Sequence, residues 1–215
     1  IVGGVCLVGI PAAIQNLLNV TGMTILNNFT SSYGANAVAA MGIAQKINQV
    51  PFYIANGLSQ GIMPLISYNY ASGNTRRMKK TFFFTARISL SFLFLVMIAY
   101  LVFAGDLVRM FMDNEQIVAY GTSFLRGMCL AMPFLCMDFL AVGVFQACGL
   151  GKEAFIFAVL RKIVLEIPAL FILNWIFPLY GLAYAQLVAE VILAAAAIIV
   201  LARLFRRLER HQYPV

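Results

Sequence analysis

Asp138 lies in the oily run PFLCMDFLAVGVFQACGLGK, with no cation within four residues of it on either side. A carboxylate at depth in hydrocarbon is costly unless it is protonated, paired across to another helix, or solvated by a cavity and an ion. Its affinity for a proton or a cation changes with the hydration around it, which makes Asp138 a candidate functional residue. Pro133, five residues earlier, removes a backbone donor and predicts a kink next to the acid. A second set of polar groups falls in the first oily segment: Gln15, Asn16, Asn19, Thr21, Thr24, Asn27 and Asn28. Positions 15, 19 and 23 share one helical face, so Gln15 and Asn19 stand beside Met23. That face reads either as interhelical hydrogen-bond glue or as the wall of a water-filled cavity. With Met128 and Met132, these amides and flexible thioethers would suit a site that accepts many shapes.

The remaining ionisable residues in apolar surroundings are Lys46, Arg87, Arg126, Arg161, Lys162, Glu166 and Glu190. Arg87 and Arg161 read as residues near helix ends that snorkel to the headgroups. Arg126 reads as reaching the opposite interface, and Lys162 with Glu166 as an i,i+4 pair on one helix.

The elements that position these residues follow from composition. The 215 residues are 62% hydrophobic and 11% charged, and the mean hydropathy is +0.90. A soluble domain of this length would need about 25% charged residues to cover its surface. The chain therefore reads as an all-α integral membrane protein. Continuous runs such as LVMIAYLVFA and LAAAAIIVLA lack the alternation of a transmembrane barrel strand. Six segments are long enough to cross about 30 Å of hydrocarbon: roughly 4–32, 36–66, 82–104, 117–146, 154–176 and 181–203. Pro11, Pro51, Pro64, Pro133 and Pro168 punctuate them, the pattern of broken, bendable helices. The lobe spans 1–205, and 206–215 reads as a basic tail.

The net charge of +7 does not indicate nucleic acid, because no basic stripe interleaved with aromatics lies on a polar domain. The cations sit between oily runs instead. Arg76, Arg77, Lys79 and Lys80 follow the second segment, Lys152 the fourth, and Arg203, Arg206, Arg207 and Arg210 the sixth. By the positive-inside rule these nine cations mark the cytoplasmic side, with both ends of the segment there, and the group at 76–80 is a topology anchor. A role for that group toward lipid headgroups is the alternative. Membrane-embedded catalysis is excluded: the single histidine, His211, is in the tail, and there is no HExxH, paired-carboxylate or Ser-His arrangement.

Several motifs resemble one family. GIP at 9–11 opening a polar first span, GLSQGIMPLISYNYASGNTRRMKK at 57–80, and GLGKEAF at 149–155 followed by Arg161 and the IP at 167–168 are similar to the C-terminal half of multidrug and toxic compound extrusion (MATE) transporters. The likeness covers nearly the whole chain. It implies one six-helix lobe of a twelve-helix transporter that exports hydrophobic organic cations against Na⁺ or H⁺, without an organic cofactor. An N-terminal six-helix lobe would be the missing partner and a bacterial plasma membrane the location. Asp138, fourteen residues before Lys152, matches the cation-binding aspartate of the family's sodium-coupled branch. Asn19 stands where that branch carries a glutamate, so it would ligate through its carbonyl without charge. Another branch couples protons in the first lobe. The resemblance leaves two alternatives: a lipid-linked oligosaccharide flippase of the same superfamily, whose cations would be Lys46 and Arg126, and a membrane subunit that does not itself transport.

Overall fold

In the computed structural model, residues 2–212 are described, apart from the side chains of 2–5, 7–8, 11–12 and 210–212. Arg210 and His211 therefore fall outside the described side chains, as does Pro11. The helices run α1 (Val2–Ser31), α2 (Ala35–Ala71), α3 (Thr75–Arg109), α4 (Glu115–Cys129), α5 (Met132–Ala147), α6 (Gly151–Val159), α7 (Ile167–Ile176) and α8 (Gly181–Gln212), with a π-helical segment at Leu160–Glu166. No strand occurs among the described residues.

Each of the six hydropathic segments is helical, but two are broken. The fourth becomes α4 and α5, bent by 44° at Leu130–Ala131, with Pro133 in the first turn of α5, where its missing N–H costs nothing. The fifth becomes α6, the π segment and α7. Pro168 sits in the first turn of α7 and cannot donate to the turn before it. The Ile167 amide instead reaches the Lys162 carbonyl, an i→i−5 bond that widens the helix just where the proline ring would crowd it. The second segment is an exception to the expected punctuation, since α2 runs unbroken through Pro51 and Pro64. The region expected as a tail is also different, because α8 continues through Gln212 and residues 206–212 extend it.

Among the described residues, α3 and α8 are each long and apolar enough to cross a membrane alone, and α4 with α5 would make a third, broken crossing. The other spans carry polar residues that require protein or water beside them. Local chemistry sets the turns between them. Asn74 caps α3 by accepting from the Arg77 amide, and Asn114 caps α4 by accepting from the amides of Gln116 and Ile117. Gly73 and Gly149 take left-handed φ values of 69° and 73° just past α2 and α5. There the amides of Asn74 and Leu150 bond back to the carbonyls of Asn69 and Phe145, closing both helix ends.

The core has two apolar halves. One gathers Ile62, Ile66, Phe82, Leu140, Phe145, Phe157 and Leu201 toward the end with the 72–74 turn. The other gathers Met41, Ile47, Val108, Phe124, Leu170 and Leu182 toward the opposite end. Helix α2 lies centrally, packing on α3, α4 and α5, while α1 packs chiefly along α6. Helices α2 and α5 approach closely where Ser59 Oγ donates to the Phe139 carbonyl at 2.6 Å, and a Cβ on Gly143 would sit well inside contact with that hydroxyl. The short serine side chain has little room to yield. Gly143→Ala should therefore lower the melting temperature of the detergent-purified protein by the cost of overpacking, about 1–3 kcal/mol. An unchanged melting temperature would show that α2 and α5 can separate freely.

Candidate coupling site

The buried charges converge where the two apolar halves meet. Asp138 on α5 is 1% exposed, and its Oδ2 accepts from Arg161 Nη2 on the π segment. The same guanidinium places Nε 3.2 Å from Glu190 Oε1 on α8, and its centre lies 4.7 Å over the Phe139 ring. Arg161 thus ties three elements together and also stacks on an aromatic face, a use of its planar fork that lysine could not reproduce. The reading of Arg161 as a snorkelling residue is corrected. It is 2% exposed, and it stands ten residues beyond Gly151, about 15 Å along the helix. Wide π geometry at 160–166 turns it inward, which a count at α-helical spacing does not anticipate.

Lys162, next in sequence, is buried too and reaches both oxygens of Glu166, at 2.8 and 2.6 Å, making the i,i+4 pair expected. Gly22 on α1 makes room for it, since a Cβ there would lie 3.1 Å from Lys162 Cδ and Nζ. Three carboxylates (Asp138, Glu166, Glu190) therefore face two cations (Arg161, Lys162), a formal charge of −1 in the protein interior. Asp138 Oδ1, Glu190 Oε2 and Arg161 Nη1 have no hydrogen-bond partner. Buried polar atoms seldom stay unpaired, so these oxygens are where a proton, a water or a cation would be held.

Two small cavities adjoin this cluster. One, of about 50 Å³, is lined by Gln15, Asn16 and Asn19 of α1 with Ser59, Gln60 and Gln146. The other, of about 60 Å³, is lined by Asn19, Met23, Gln45, Met128, Lys162 and Glu166, among others. Asn19 belongs to both, and Met23 Sδ accepts from Gln49 Nε2 at 3.8 Å. Gln45 Nε2 and Asn48 Oδ1 lack partners on the second wall. Such volumes hold one or two waters, whereas a small-molecule pocket needs about 300–1,000 Å³. The residues expected to act together are thus partly separated. Gln15, Asn19, Met23 and Met128 meet at these cavities, but Asp138 lines neither of them. Met132 is corrected: it is 2% exposed and packs against Met97 and Cys129 in the core. The hydroxyls of Thr21 and Thr24 bond back to carbonyls of their own helix and are satisfied locally. Glu190 is the member of the cluster to which sequence reasoning assigns no role. Its signal was a lone acid in an alanine-rich span, the same signal that singled out Asp138.

A helical bundle with a charged cluster buried inside it matches the polar sites that membrane proteins bury between their helices. The chain belongs to the MatE family, whose model matches residues 11–176. It is 36% identical over 203 residues to the multidrug export protein MepA of Staphylococcus haemolyticus, and 34% identical to that of Staphylococcus saprophyticus. Both alignments cover 94% of this chain and 44% of the relative, so the chain spans about half the length of these relatives. The Vibrio cholerae MATE transporter VcmN in its bent form superposes with a TM-score of 0.87 at 19% identity, over 94% of this chain and 46% of VcmN. A Pyrococcus furiosus transporter of the MOP superfamily, described as having a binding pocket of reverse polarity, superposes at 0.89 with 18% identity, over 95% of this chain and 47% of that one. The fold is therefore shared, with the family's helical lobe reproduced over nearly the whole chain.

Removing the cation from this cluster should expose its cost. Arg161→Gln leaves two buried carboxylates without their partner, and about 3–5 kcal/mol of stability should be lost. Asp138→Asn combined with Arg161→Gln should recover part of that loss. Melting curves of these two variants and of Asp138→Asn alone close the cycle, and a double-variant loss equal to the sum of the two single losses would show that Asp138 and Arg161 are not energetically coupled.

Proposed function

We propose that the protein carrying this chain exports organic cations by antiport, and that the Asp138–Arg161–Glu190 cluster holds the coupling cation. The observation that carries this reading is the residual negative charge of a fully buried cluster at mid-depth. Such a cluster must acquire one positive charge to be stable in a closed, dry state, and can release it when the cavity hydrates. The similar MepA is a multidrug export protein, which supports export as the direction and drugs as the cargo.

The open oxygens favour a proton over Na⁺. A proton needs one lone pair, as at Asp138 Oδ1 or Glu190 Oε2. A hard metal cation would need several oxygens, from carboxylates, amides or carbonyls, gathered around it. Since the two cavities beside the cluster hold only water-sized guests, the organic cation would lie against the exposed polar face of α1, between this lobe and a second one. The nine-cation end, with the 72–74 turn, is assigned to the cytoplasm, and the lobe to a plasma membrane. A flippase would gather cations to hold pyrophosphate. Lys46 and Arg126 are instead both exposed, and Arg126 Nε donates to the Leu101 carbonyl.

Asp138→Asn separates the two parts of this reading. It leaves Arg161 paired with Glu190 and brings the cluster to neutrality, so the protein should reach the membrane in normal amount. Efflux of a fluorescent organic cation driven by an imposed pH gradient should fall to the level of cells lacking the transporter, and Glu190→Gln should do the same. Full efflux in both variants would move coupling out of this lobe. Full dependence on a sodium gradient would replace the proton as the ion.

A further inference from the structure

A further concavity lies away from these charges. It is a groove of about 1320 Å³ between the second half of α2 and the first half of α3, with Arg76 and Lys79 of α3 and Glu209 of α8 at its polar end. Its wall on α2 is apolar and indented. Gly57 and Gly61, one turn apart, leave a furrow in which an added Cβ would meet nothing within 4 Å, flanked by Leu58 and Leu65. Its wall on α3 carries Arg76, Lys80, Phe83, Phe84 and Arg87, whose spacing of three or four residues sets them on one face.

The charges in the groove are unbalanced. Lys79 is matched by Glu209 at 2.5 Å, but Arg76, Lys80 and Arg87 have no ion-pair partner among the described residues. Arg87 is exposed, and it lies seven residues beyond Lys80, about 10 Å deeper along α3 and below two exposed phenylalanines. A guanidinium facing hydrocarbon at that depth must reach up toward the interface, while Arg76 and Lys80 reach down to it. Three cations without an ion-pair partner among the described residues thus line one groove beside an apolar furrow.

We propose that this groove is a binding site for an anionic phospholipid, whose phosphate is held by Arg76, Lys80 and Arg87 and whose acyl chain lies in the furrow beside Gly57 and Gly61. Charge complementarity selects the occupant. A zwitterionic lipid would bring its own cation among three, and an apolar helix would leave all three unpaired. The site is independent of the transport reading, because none of its residues belongs to the buried cluster.

Trp175 on α7, the one tryptophan in these 215 residues, and any tryptophan elsewhere in the native protein are replaced by phenylalanine, and a new one is placed in the groove with Phe84→Trp. The protein, in its native length, is placed in phosphatidylcholine nanodiscs containing increasing amounts of brominated phosphatidylglycerol or brominated phosphatidylcholine. Quenching of the groove tryptophan's fluorescence should reach its midpoint at a mole fraction at least about fivefold lower for the glycerol lipid, the worth of a single surface cation. Adding Arg76→Gln, Lys80→Gln and Arg87→Gln together should bring the two lipids level, while Arg76→Lys and Arg87→Lys should keep the preference and control for folding. Equal quenching by both lipids in the starting variant would reduce the groove to ordinary boundary lipid. No quenching by either would show it covered by protein, such as a second lobe. Either result overturns the proposal.

Discussion

A buried arginine shared between two carboxylates is the constraint around which this bundle is arranged. Arg161 holds Asp138 of α5 and Glu190 of α8 at the level where the two apolar halves of the core meet. An ion pair in that setting adds little net stability, because desolvating the charges offsets their attraction, but it strongly penalises any packing that separates them. Its effect is to fix the relative height and rotation of three helices whose apolar faces alone would tolerate sliding. The aromatic face of Phe139 beneath the guanidinium, itself in edge contact with Phe52 of α2, extends that constraint to the central helix.

The irregular backbone follows from the same need. A regular helix through 151–176 would place Arg161 and Lys162 at α-helical spacing and force the Pro168 ring against the preceding turn. The π segment relieves the crowding and presents Arg161, Lys162 and Glu166 to the interior together. Gly22 and Gly143 have the complementary role, since each removes a side chain where a lysine or a serine must approach a neighbouring helix. Polar contacts at depth are thus made possible by small residues and a widened turn rather than by loops.

The lobe separates its charges by position. The interior cluster is net negative and carries open acceptor oxygens, whereas the 76–87 face of α3 is net positive and open to the membrane. One suits a small cation that comes and goes, the other a lasting anionic neighbour. The cavities that Asn19 lines are too small for a drug-sized guest.

Much of this was legible in the sequence. Composition set the all-helical membrane class, and hydropathy located six segments. Asp138 announced itself because a carboxylate among apolar neighbours has few ways to exist, and Lys162 with Glu166 because their spacing needs no third element. What only the tertiary structure decided was partnership. Arg161 lies 23 residues from Asp138 and 29 from Glu190, and nothing local distinguishes an arginine that snorkels from one that turns inward. Met132 was a cavity candidate by type and became core by orientation, and Asn19 and Asp138 were drawn to separate places although both are polar residues at depth. Periodicity reports which face of a helix is apolar. It does not report which neighbour that face meets, and for buried charges the neighbour determines the chemistry.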